Sequence, residues 1–308
     1  MNYLYEITVI VITYKPNLEK LMSTLKSAVF QKNVNIQIIV ADDGSEFNYK
    51  KEIENFFIEN SFRDFKLIMN EKNVGTVNNI YNAIQFAKGK YTYLISPGDY
   101  FFSESTLANI VKFSEKNNIE IGFGNSQYYR KDSNVTLYKQ MNPRSPVIFN
   151  IRCLSQKIKT LAYCTTQDIV GACFFRKTDI FANYLDRIKL LSKYDEDNCT
   201  TYIHLLQEGK EIYYFDEFVV WYELGTGIST SNNSKFSEQL EKDCETVLNS
   251  IKNKKNSKII EYCKINKKDG LRYAFLQIQT ILIRILGKIF EFKGFLNTTN
   301  DFFDNITK

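Results

Sequence analysis

At 308 residues, with 44% hydrophobic residues, the chain is long enough for one large α/β domain and an appendage, and disorder of the whole chain is excluded. The net charge of +5 is modest for this length, so nucleic-acid binding is not expected. Six cysteines without a C-x-x-C pair and a single histidine supply a structural zinc site poorly and favour a reduced, cytoplasmic protein.

The first segment predicts a β-α-β unit. Residues 7–13 form a continuous apolar and β-branched run, which is typical of a strand covered on both faces. Residues 18–30 place apolar side chains on one helical face, and residues 36–41 form a second strand. A unit of this kind favours a parallel sheet.

An acidic turn, Asp42-Asp43-Gly44-Ser45, follows the second strand. Such a turn caps the next helix, predicted over residues 47–60, as an Asx-type turn, or it belongs to a ligand site at the strand end. Its place after one buried strand and before a third, at 65–70, favours the ligand site. Gly44 would let the turn approach a bound ligand closely.

A helix, a turn and a buried strand follow between residues 73 and 102. Residues 74–88 have helical apolar spacing, with Gly89 as the predicted stop. Residues 91–96 predict a core strand that breaks at Pro97-Gly98-Asp99. We expect this break to leave Asp99 exposed at the strand end, where α/β sheets bind ligands.

These motifs in this order resemble family 2 glycosyltransferases: Asp-Asp-Gly-Ser, then Asn73-x-Gly75, Asn82, Ala87-x-Gly89, a strand and Asp99. The resemblance implies the GT-A fold, a Rossmann-like fold of nucleotide-diphospho-sugar transferases, with the second Asp of the turn accepting the N–H of a uracil base. The residues implied to bind the nucleotide sugar are Thr13, Tyr14, Asp42, Asp43, Asn73, Gly75, Asn82, Gly98 and Asp99.

The resemblance also implies a divalent metal on the donor diphosphate. Family members usually end this strand in Asp-x-Asp, whose last carboxylate holds the metal. Here Ser96, Pro97 and Gly98 replace the earlier acid, so only Asp99 is carried over as a ligand of Mg²⁺ or Mn²⁺. One carboxylate in place of two predicts weak metal affinity.

The next segment predicts the acceptor side. A helix is expected from Ser103 and a strand over 119–129, followed by an irregular stretch, 131–168, that we interpret as a functional loop. Residues 167–176 resemble the family's strand that borders the acceptor, with Gly171 at a position that is usually small.

A second acidic cluster, residues 195–197, precedes a helical run that Gly209 ends. It resembles the family's Glu-Asp motif, whose carboxylate is the catalytic base, and the register leaves Glu196 and Asp197 as candidates, with Asp197 favoured. Acids near a helix start are also expected as caps. One carboxylate suffices for a single, inverting displacement.

The sequence therefore predicts an inverting glycosyltransferase that moves a sugar from a UDP-sugar to a hydroxyl of a glycan acceptor. By resemblance the acceptor is lipid-linked and the product a bacterial surface polysaccharide, such as capsule or lipopolysaccharide. A sugar nucleotidyltransferase would need a Gly-rich loop after the first strand, which is absent. A catalytically inactive relative that serves as a binding or assembly subunit remains the alternative, because the first Asp is missing.

The C-terminal part predicts a helical extension. We place the catalytic domain at 1–225, with a nucleotide-sugar-binding half at 1–100 and an acceptor-side half at 101–225, and the extension at 226–308. A lysine-rich run at 252–268 precedes an amphipathic helix over 271–296. This helix packs on the catalytic domain or on a partner subunit in a homo-oligomer, or it lies peripherally on the inner face of the cell membrane.

Overall fold

A computed structural model describes residues 3–131, 135–142, 149, 153–225, 234–265, 267–290, 296 and 298–308. The described strands are β1 (Tyr5–Thr13), β2 (Ile36–Asp42), β3 (Phe65–Met69), β4 (Gly89–Ile95), β5 (Tyr100–Phe101), β6 (Ile121–Lys131), β7 (Val135–Asn142), β8 (Phe174–Lys177) and β9 (Tyr213–Glu223). The described helices are α1 (Leu18–Val29), α2 (Lys50–Glu59), α3 (Thr76–Ile84), α4 (Thr106–Asn117), α5 (Leu154–Asp168), α6 (Thr178–Ile188), α7 (Glu196–Tyr202), α8 (Ser234–Ser250), α9 (Ser257–Cys263), α10 (Leu271–Phe290) and α11 (Asp301–Thr307).

The strands form one mixed sheet in the order β3-β2-β1-β4-β8-β6-β9-β5, with β7 beside β6. The first four strands in this order run parallel, which confirms the parallel sheet predicted from the β-α-β pattern. β8 is antiparallel to both β4 and β6, and β6 is parallel to β9. Because parallel strands end at one edge, the turns after β1, β2 and β4 meet there.

The sheet core explains the continuous apolar runs. Every residue of β2 is buried, and β1 is buried over most of its length, because the sheet is covered on both faces. Helix α3 packs on β1 and β2, and its buried face includes Val77, Ile80 and Ala83. The predicted helical spacing of this segment is therefore the spacing of a core-facing stripe.

Gly89 has a different role from the predicted helix stop. Helix α3 ends at Ile84, and Gly89 begins β4. A Cβ placed on Gly89 would lie 2.3 Å from the backbone nitrogen of Thr8 in β1. This glycine is required by the close pairing of the two strands and not by a helix terminus.

The stretch 131–168 is more regular than predicted, since its described parts include β7 and α5. Residues 132–134, 143–148 and 150–152 of this stretch lie outside the described residues. The strand predicted from Gln167 is wrong at its start, because Gln167 and Asp168 end α5 and the strand begins only at Phe174. A 3₁₀ turn, Gly171–Cys173, leads into that strand.

The C-terminal part returns to the sheet. Phe303 and Ile306 of α11 pack with Tyr100 of β5, Tyr129 of β6 and Trp221 of β9. The Asn300 amide donates a hydrogen bond of 2.8 Å to the carbonyl of Phe102. The predicted helical extension did not specify α8 or α11 individually, and the division at residue 225 stays a prediction.

Candidate active site

A cleft of about 410 Å³ opens where β1 and β4 end. One wall is the turn after β1, a second is the strand end at Ser96 and Pro97, and a third is formed by the acidic segments around Asp43 and Tyr194. The residues that line it are Ile12, Thr13, Tyr14, Lys15, Pro16, Asn17, Lys20, Asp43, Asn73, Thr76, Asn79, Ser96, Pro97, Tyr194 and Phe236.

The two acids of the turn after β2 differ in position: Asp42 holds the turn together and Asp43 faces the cleft. Asp42 is fully buried and accepts hydrogen bonds from the Thr13 hydroxyl at 2.8 Å and from the Ser45 amide and hydroxyl at 2.7 Å each. It is absent from the residues that line the cleft. Asp42 therefore stabilises the turn, as an Asx-type acid does, and the prediction that it binds the nucleotide finds no support here.

Asp43 faces the cleft. Its two carboxylate oxygens accept the backbone N–H groups of Val74 at 2.7 Å and Gly75 at 3.0 Å. Burial raises the pKa of Asp43 above its ordinary value, and the two backbone hydrogen bonds oppose that shift. An ionised carboxylate has about four acceptor positions, and the two N–H groups occupy two of them, so Asp43 can still accept a donor in the cleft.

Gly44 and Gly75 allow the turn at 42–45 and the segment at 73–75 to pack closely against their neighbours. Gly44 has a φ of +76°, and a Cβ there would lie 2.3 Å from the carbonyl carbon of Lys72. The predicted reason, close approach to a nucleotide, is replaced by close approach to the chain at 72–73. Gly75 has a φ of +89° and packs against Lys193, so it fixes the start of α3 beside the second acidic segment.

Three asparagines have different positions relative to the cleft. Asn73 is exposed in the cleft, as predicted for a donor-binding residue. Asn82 is absent from the lining and donates from its amide to Asn70 Oδ1 at 3.0 Å. Asn79 lines the cleft and was missed; its amide donates to the carbonyl of Ala41 at 2.9 Å. Asn82 therefore supports Asn70 and Asn79, since Asn70 in turn donates to Asn79 at 2.9 Å.

The turn after β4 presents Ser96 and Pro97 to the cleft and keeps the next two residues behind them. Gly98 has a φ of +100°, its N–H donates to Thr24 Oγ1 at 3.1 Å, and its carbonyl accepts from the Tyr129 hydroxyl. Asp99 is only 7% exposed, so the prediction of an exposed acid is wrong. Its Oδ1 accepts the backbone N–H of Glu223 at 3.0 Å, which joins the turn to the end of β9.

The surroundings of Asp99 do not fit a ligand of Mg²⁺ or Mn²⁺. Burial raises the pKa of Asp99 to about 8, and the Glu223 carboxylate raises it further while the Glu223 N–H opposes the shift. Hard cations bind ionised, accessible oxygen ligands. The cleft surface of this turn offers a hydroxyl and a proline ring in place of carboxylates, so the predicted metal-binding role of Asp99 finds no support in this geometry.

A lysine is the cation at this end of the cleft. Lys20 of α1 lines the cleft, and its Nζ lies 2.7 Å from both carboxylate oxygens of Glu223. The Glu223 side chain is 3% exposed and that of Lys20 is 33% exposed. The buried carboxylate therefore holds the ammonium group at the cleft surface. Sequence reasoning missed this pair because its members lie 203 residues apart.

The three acids at 195–197 have different surroundings. Asp195 is buried and caps α7 by accepting the N–H of Asn198 at 3.2 Å. Glu196 is buried, and its Oε1 lies 2.6 Å from Nη2 of Arg176, a fully buried arginine between the rings of Phe174 and Phe181. Burial raises the pKa of Glu196 to about 7, with the Arg176 charge opposing the shift.

Glu196 is thus the ion-pair partner of Arg176, and its role as a candidate base stays a prediction. Asp197 is half-buried, and its Oδ2 lies against Gly171: a Cβ at that glycine would be 2.8 Å away. The small residue predicted at position 171 therefore has a physical reason, since it leaves room for the Asp197 carboxylate. Among the described residues, Asp195 is buried without a cationic partner and Glu196 is buried beside Arg176. Asp197 is the only one of the three acids that is partly exposed.

The two acidic regions border the same short turn, Gly171–Cys173. Asp197 packs on Gly171, and the charge of Asp99 contributes to raising the pKa of Cys173 to about 12, after burial as the main cause. Tyr194, three residues before Asp197, lines the cleft together with Phe236 of α8, and their rings meet edge to face at 5.5 Å. The segments that are distant in sequence therefore meet at one edge of the sheet.

The fold and the cleft define an α/β protein of the GT-A class, with its binding site at the carboxyl edge of the parallel strands. The family model of glycosyl transferase family 2 matches residues 8–185, more than half of the chain, and the chain belongs to that family. The resemblance and the GT-A fold predicted from the sequence are confirmed.

An uncharacterized protein of Methanocaldococcus jannaschii is 31% identical over 114 residues, which cover 36% of this chain and 48% of the relative. The chain thus spans about half the length of the curated relative that it matches. The donor, acceptor and partners of this chain are therefore proposed below.

Two solved structures share the fold. S. aureus TarS 1-349 in complex with UDP-GlcNAc matches with a TM-score of 0.56 and 15% identity, over 90% of this chain and 81% of TarS 1-349. The mannosyltransferase PcManGT from Pyrobaculum calidifontis, in complex with GDP-Man and Mn²⁺, matches with a TM-score of 0.58 and 12% identity, over 93% and 74% of the two chains. Both neighbours hold a nucleotide sugar.

Proposed function

We propose that this chain transfers a sugar from a UDP-sugar to a hydroxyl group of a glycan acceptor, with inversion at the anomeric carbon. The observation that carries the proposal is the cleft in which Asp43, the end of β4 and Tyr194 meet. It joins the place expected for a nucleotide with the segment that bears the candidate base. The neighbour TarS, which holds UDP-GlcNAc, supports a UDP-sugar donor.

Asp43 is the proposed contact to the uracil base. Its carboxylate is fixed by Val74 and Gly75 and faces the cleft, so a base N–H could bind to it without reorganisation of the side chain. Tyr14 and Asn73, at the rim of the same cleft, are the proposed contacts to the rest of the nucleoside.

Lys20 and Lys15 are the proposed partners of the diphosphate. As the donor bond breaks, negative charge grows on the leaving diphosphate, and fixed cations stabilise it. Both lysines line the cleft, and Glu223 restricts Lys20 to this position. The neighbouring mannosyltransferase holds Mn²⁺ with its donor. In this chain we assign the counter-charge to lysine, because no carboxylate of the described β4 turn faces the cleft.

Asp197 is the proposed base. An acceptor hydroxyl becomes acidic as its oxygen bonds to the anomeric carbon, so a carboxylate of ordinary basicity suffices late in the displacement. Asp197 does not itself line the cleft, but it lies against Gly171 in the turn before β8, beside the end of β4, and this position supports the role. The aromatic pair Tyr194 and Phe236 offers apolar faces on which a sugar ring would pack.

The experiment that tests the proposal is a screen of UDP-sugars for UDP release, with water and with glycan acceptors. We expect turnover with at least one UDP-sugar, and Asp197→Asn should lower kcat by a factor on the order of 100 or more while UDP binding persists. Asp43→Ala should weaken UDP binding by about 10- to 100-fold, the loss of one charge-assisted hydrogen bond.

Asp42→Asn is the matched control for Asp43, since it alters the same turn outside the cleft. It should lower stability and leave the affinity for UDP within a few-fold of wild type. Equal losses of UDP affinity in both variants would contradict the assignment of Asp43.

A second candidate function is a catalytically inactive relative that binds nucleotide or acceptor as an assembly subunit. The replacement of strand-end acids by Ser96, Pro97 and Gly98 favours it. Calorimetry with UDP, with and without Mn²⁺, separates the two: UDP binding without turnover of any UDP-sugar on any acceptor would favour the subunit.

For the acceptor we propose a lipid-linked glycan in the synthesis of a surface polysaccharide such as capsule or lipopolysaccharide. Peripheral contact with the inner face of the cell membrane would bring the enzyme to it. Helix α10 supports this contact, because several of its described apolar side chains are exposed: Leu271 90%, Phe275 61% and Ile278 54%. Among the described residues, no helix combines the length and apolarity needed to cross a bilayer.

Self-association through α10 is the competing role for this helix. A homo-oligomer would bury the same apolar side chains. The cytoplasmic location and the boundary at residue 225 remain predictions.

A further inference from the structure

A buried cluster of one carboxylate and two thiols lies between α7 and α8, outside the cleft lining. One ligand atom each from Asp195, Cys199 and Cys244 lies within 4.8 Å of the other two. Asp195 and Cys199 are four residues apart at the start of α7 and therefore share a face of that helix. Cys244 comes from α8, and its Sγ donates to Asp195 Oδ2 at 2.9 Å.

The Asp195 carboxylate has no cationic partner among the described residues. It is 3% exposed, its hydrogen-bond donors include the backbone and side-chain amides of Asn198 and the thiol of Cys244, and the Asp197 carboxyl group is a further hydrogen-bonded neighbour. An unpaired buried charge is strongly unfavourable, so a cation bound here would displace the protons of the carboxyl and thiol groups and pair with the charges that remain. The neighbouring thiols make that place suitable for a metal that binds sulfur.

The cluster is held by the residue next to Cys244. Asp243 is buried, and its Oδ2 accepts the backbone N–H groups of Lys193 at 2.8 Å, Tyr194 at 2.7 Å and Asp195 at 3.2 Å. The turn that carries Asp195 is thereby fixed to α8 before any metal binds. Outer hydrogen bonds of this kind orient metal ligands and raise affinity.

We propose that Asp195, Cys199 and Cys244 bind one divalent cation that prefers sulfur, with Zn²⁺ as the best fit, and that this ion fastens α7 to α8. Tetrahedral zinc with sulfur at about 2.3 Å and oxygen at about 2.1 Å separates its ligand atoms by roughly 3.6 to 3.8 Å. Small rotations of the side chains reach these separations from the present ones. Mg²⁺ and Ca²⁺ fit poorly because they require oxygen ligands.

Three protein ligands leave a fourth position for water, and Cys244 is only half-buried, which gives solvent access. The sequence indicated a poor supply of zinc ligands because they come from separate helices without a C-x-x-C spacing. The proposed role is to position Tyr194 and Asp197, which flank Asp195 in the same segment. This role is independent of which sugar the protein transfers.

Titration of the reduced, metal-free full-length protein with Co²⁺ tests the proposal. We expect one equivalent of Co²⁺ to give a thiolate-to-cobalt charge-transfer band and the visible bands of tetrahedral cobalt, both abolished by Zn²⁺. In Cys199→Ser and Cys244→Ser the affinity should fall by more than the roughly 10- to 100-fold that loss of an outer partner costs. Cys153→Ser, which alters an exposed cysteine, is the matched control and should bind like wild type.

A second measurement keeps the proposal testable if a serine variant fails to fold. Zn²⁺ should raise the melting temperature of the wild-type protein in proportion to the logarithm of its concentration, and Mg²⁺ should not. Absence of both the cobalt bands and the zinc-dependent stabilisation would overturn the proposal. So would the same cobalt bands in a folded Cys199→Ser variant, or a Cys199–Cys244 disulfide as the form found in freshly purified protein.

Discussion

The Asp197 carboxylate occupies the space that a side chain at Gly171 would need, since a Cβ at residue 171 would lie 2.8 Å from Asp197 Oδ2. Gly171→Ala should therefore displace the proposed base while leaving the nucleotide end of the cleft unchanged. We expect kcat to fall by about 10- to 100-fold, because a small misplacement of a reacting group has effects of this size. UDP affinity by calorimetry should stay within about two-fold.

A double-mutant cycle shows whether this effect passes through Asp197. If it does, Gly171→Ala should have almost no further effect on kcat in an Asp197→Asn background. Additive losses from the two substitutions would contradict the coupling between residues 171 and 197.

Lys20→Met should weaken donor binding. Loss of a charge-assisted contact to the diphosphate predicts a decrease in UDP affinity of about 10- to 100-fold. The substitution also leaves Glu223 buried without its cation, which destabilises the fold. The double variant Lys20→Met with Glu223→Gln should therefore recover stability while donor affinity stays low.

Lys26→Met on the same helix is the control, since Lys26 bonds to the carbonyl of Asn305 and lies outside the cleft lining. Calorimetry of wild type should give the same UDP affinity with and without added Mn²⁺ or Mg²⁺. A large gain in affinity on adding Mn²⁺, with Lys20→Met unaffected, would contradict the lysine assignment and restore a metal role.

The parallel strands and the turns after them could be predicted from the sequence for a physical reason. Strands buried on both faces form continuous apolar runs, and the turns after them must lie at one edge, so Asp43 and Asn73 were predicted at the cleft before their contacts were known. The sequence does not separate Asp42 from Asp43, because adjacent acids in a turn look alike until the hydrogen bonds to Thr13 and Ser45 distinguish them.

The remaining features depend on pairs that no local pattern encodes. Lys20 and Glu223, Arg176 and Glu196, and Asp195 and Cys244 each join distant segments. Asp99 shows the same limit: a strand-end acid is expected in solvent, but β9 covers it and supplies the N–H of Glu223.

Asp99 predicts a pH dependence of stability. Its pKa is raised to about 8 by burial, so the protonated form is favoured in the folded protein. In the unfolded chain Asp99 ionises at the ordinary carboxyl pKa of about 4, whereas in the folded protein it ionises only near pH 8. The contribution of Asp99 to the free energy of unfolding is therefore highest below pH 4 and decreases as the pH rises towards 8. Asp99→Asn removes this loss while keeping an oxygen to accept the Glu223 N–H.

The stability of Asp99→Asn relative to wild type should therefore increase by about 1 to 3 kcal/mol between pH 5 and pH 8. Denaturant unfolding at several pH values measures it. A difference between the two proteins that stays constant over this range would show that Asp99 ionises normally in the folded chain.

The apolar face of α10 predicts binding to anionic membranes. Phe275 and Ile278 are more than half exposed, and lysines at 252, 254, 255 and 258 in the segment before the helix are exposed too. Inserting these side chains into a lipid surface stabilises the bound state by about 1.5 to 3 kcal/mol each, and each lysine near anionic lipid adds about 1 kcal/mol. We expect the protein to partition onto vesicles that contain phosphatidylglycerol and much less onto neutral ones.

Phe275→Glu with Ile278→Glu should reduce this partition by a factor on the order of 100. Point substitutions are preferable to removal of the C-terminal segment, because Phe303 packs on Trp221 and its loss would expose the core. Gln277→Glu, which adds one negative charge on the same helix without removing an apolar side chain, is the control and should bind vesicles nearly as well as wild type. Light scattering distinguishes the competing role: a wild-type oligomer that the double variant converts to a monomer, without any vesicle binding by either protein, would assign this face to self-association.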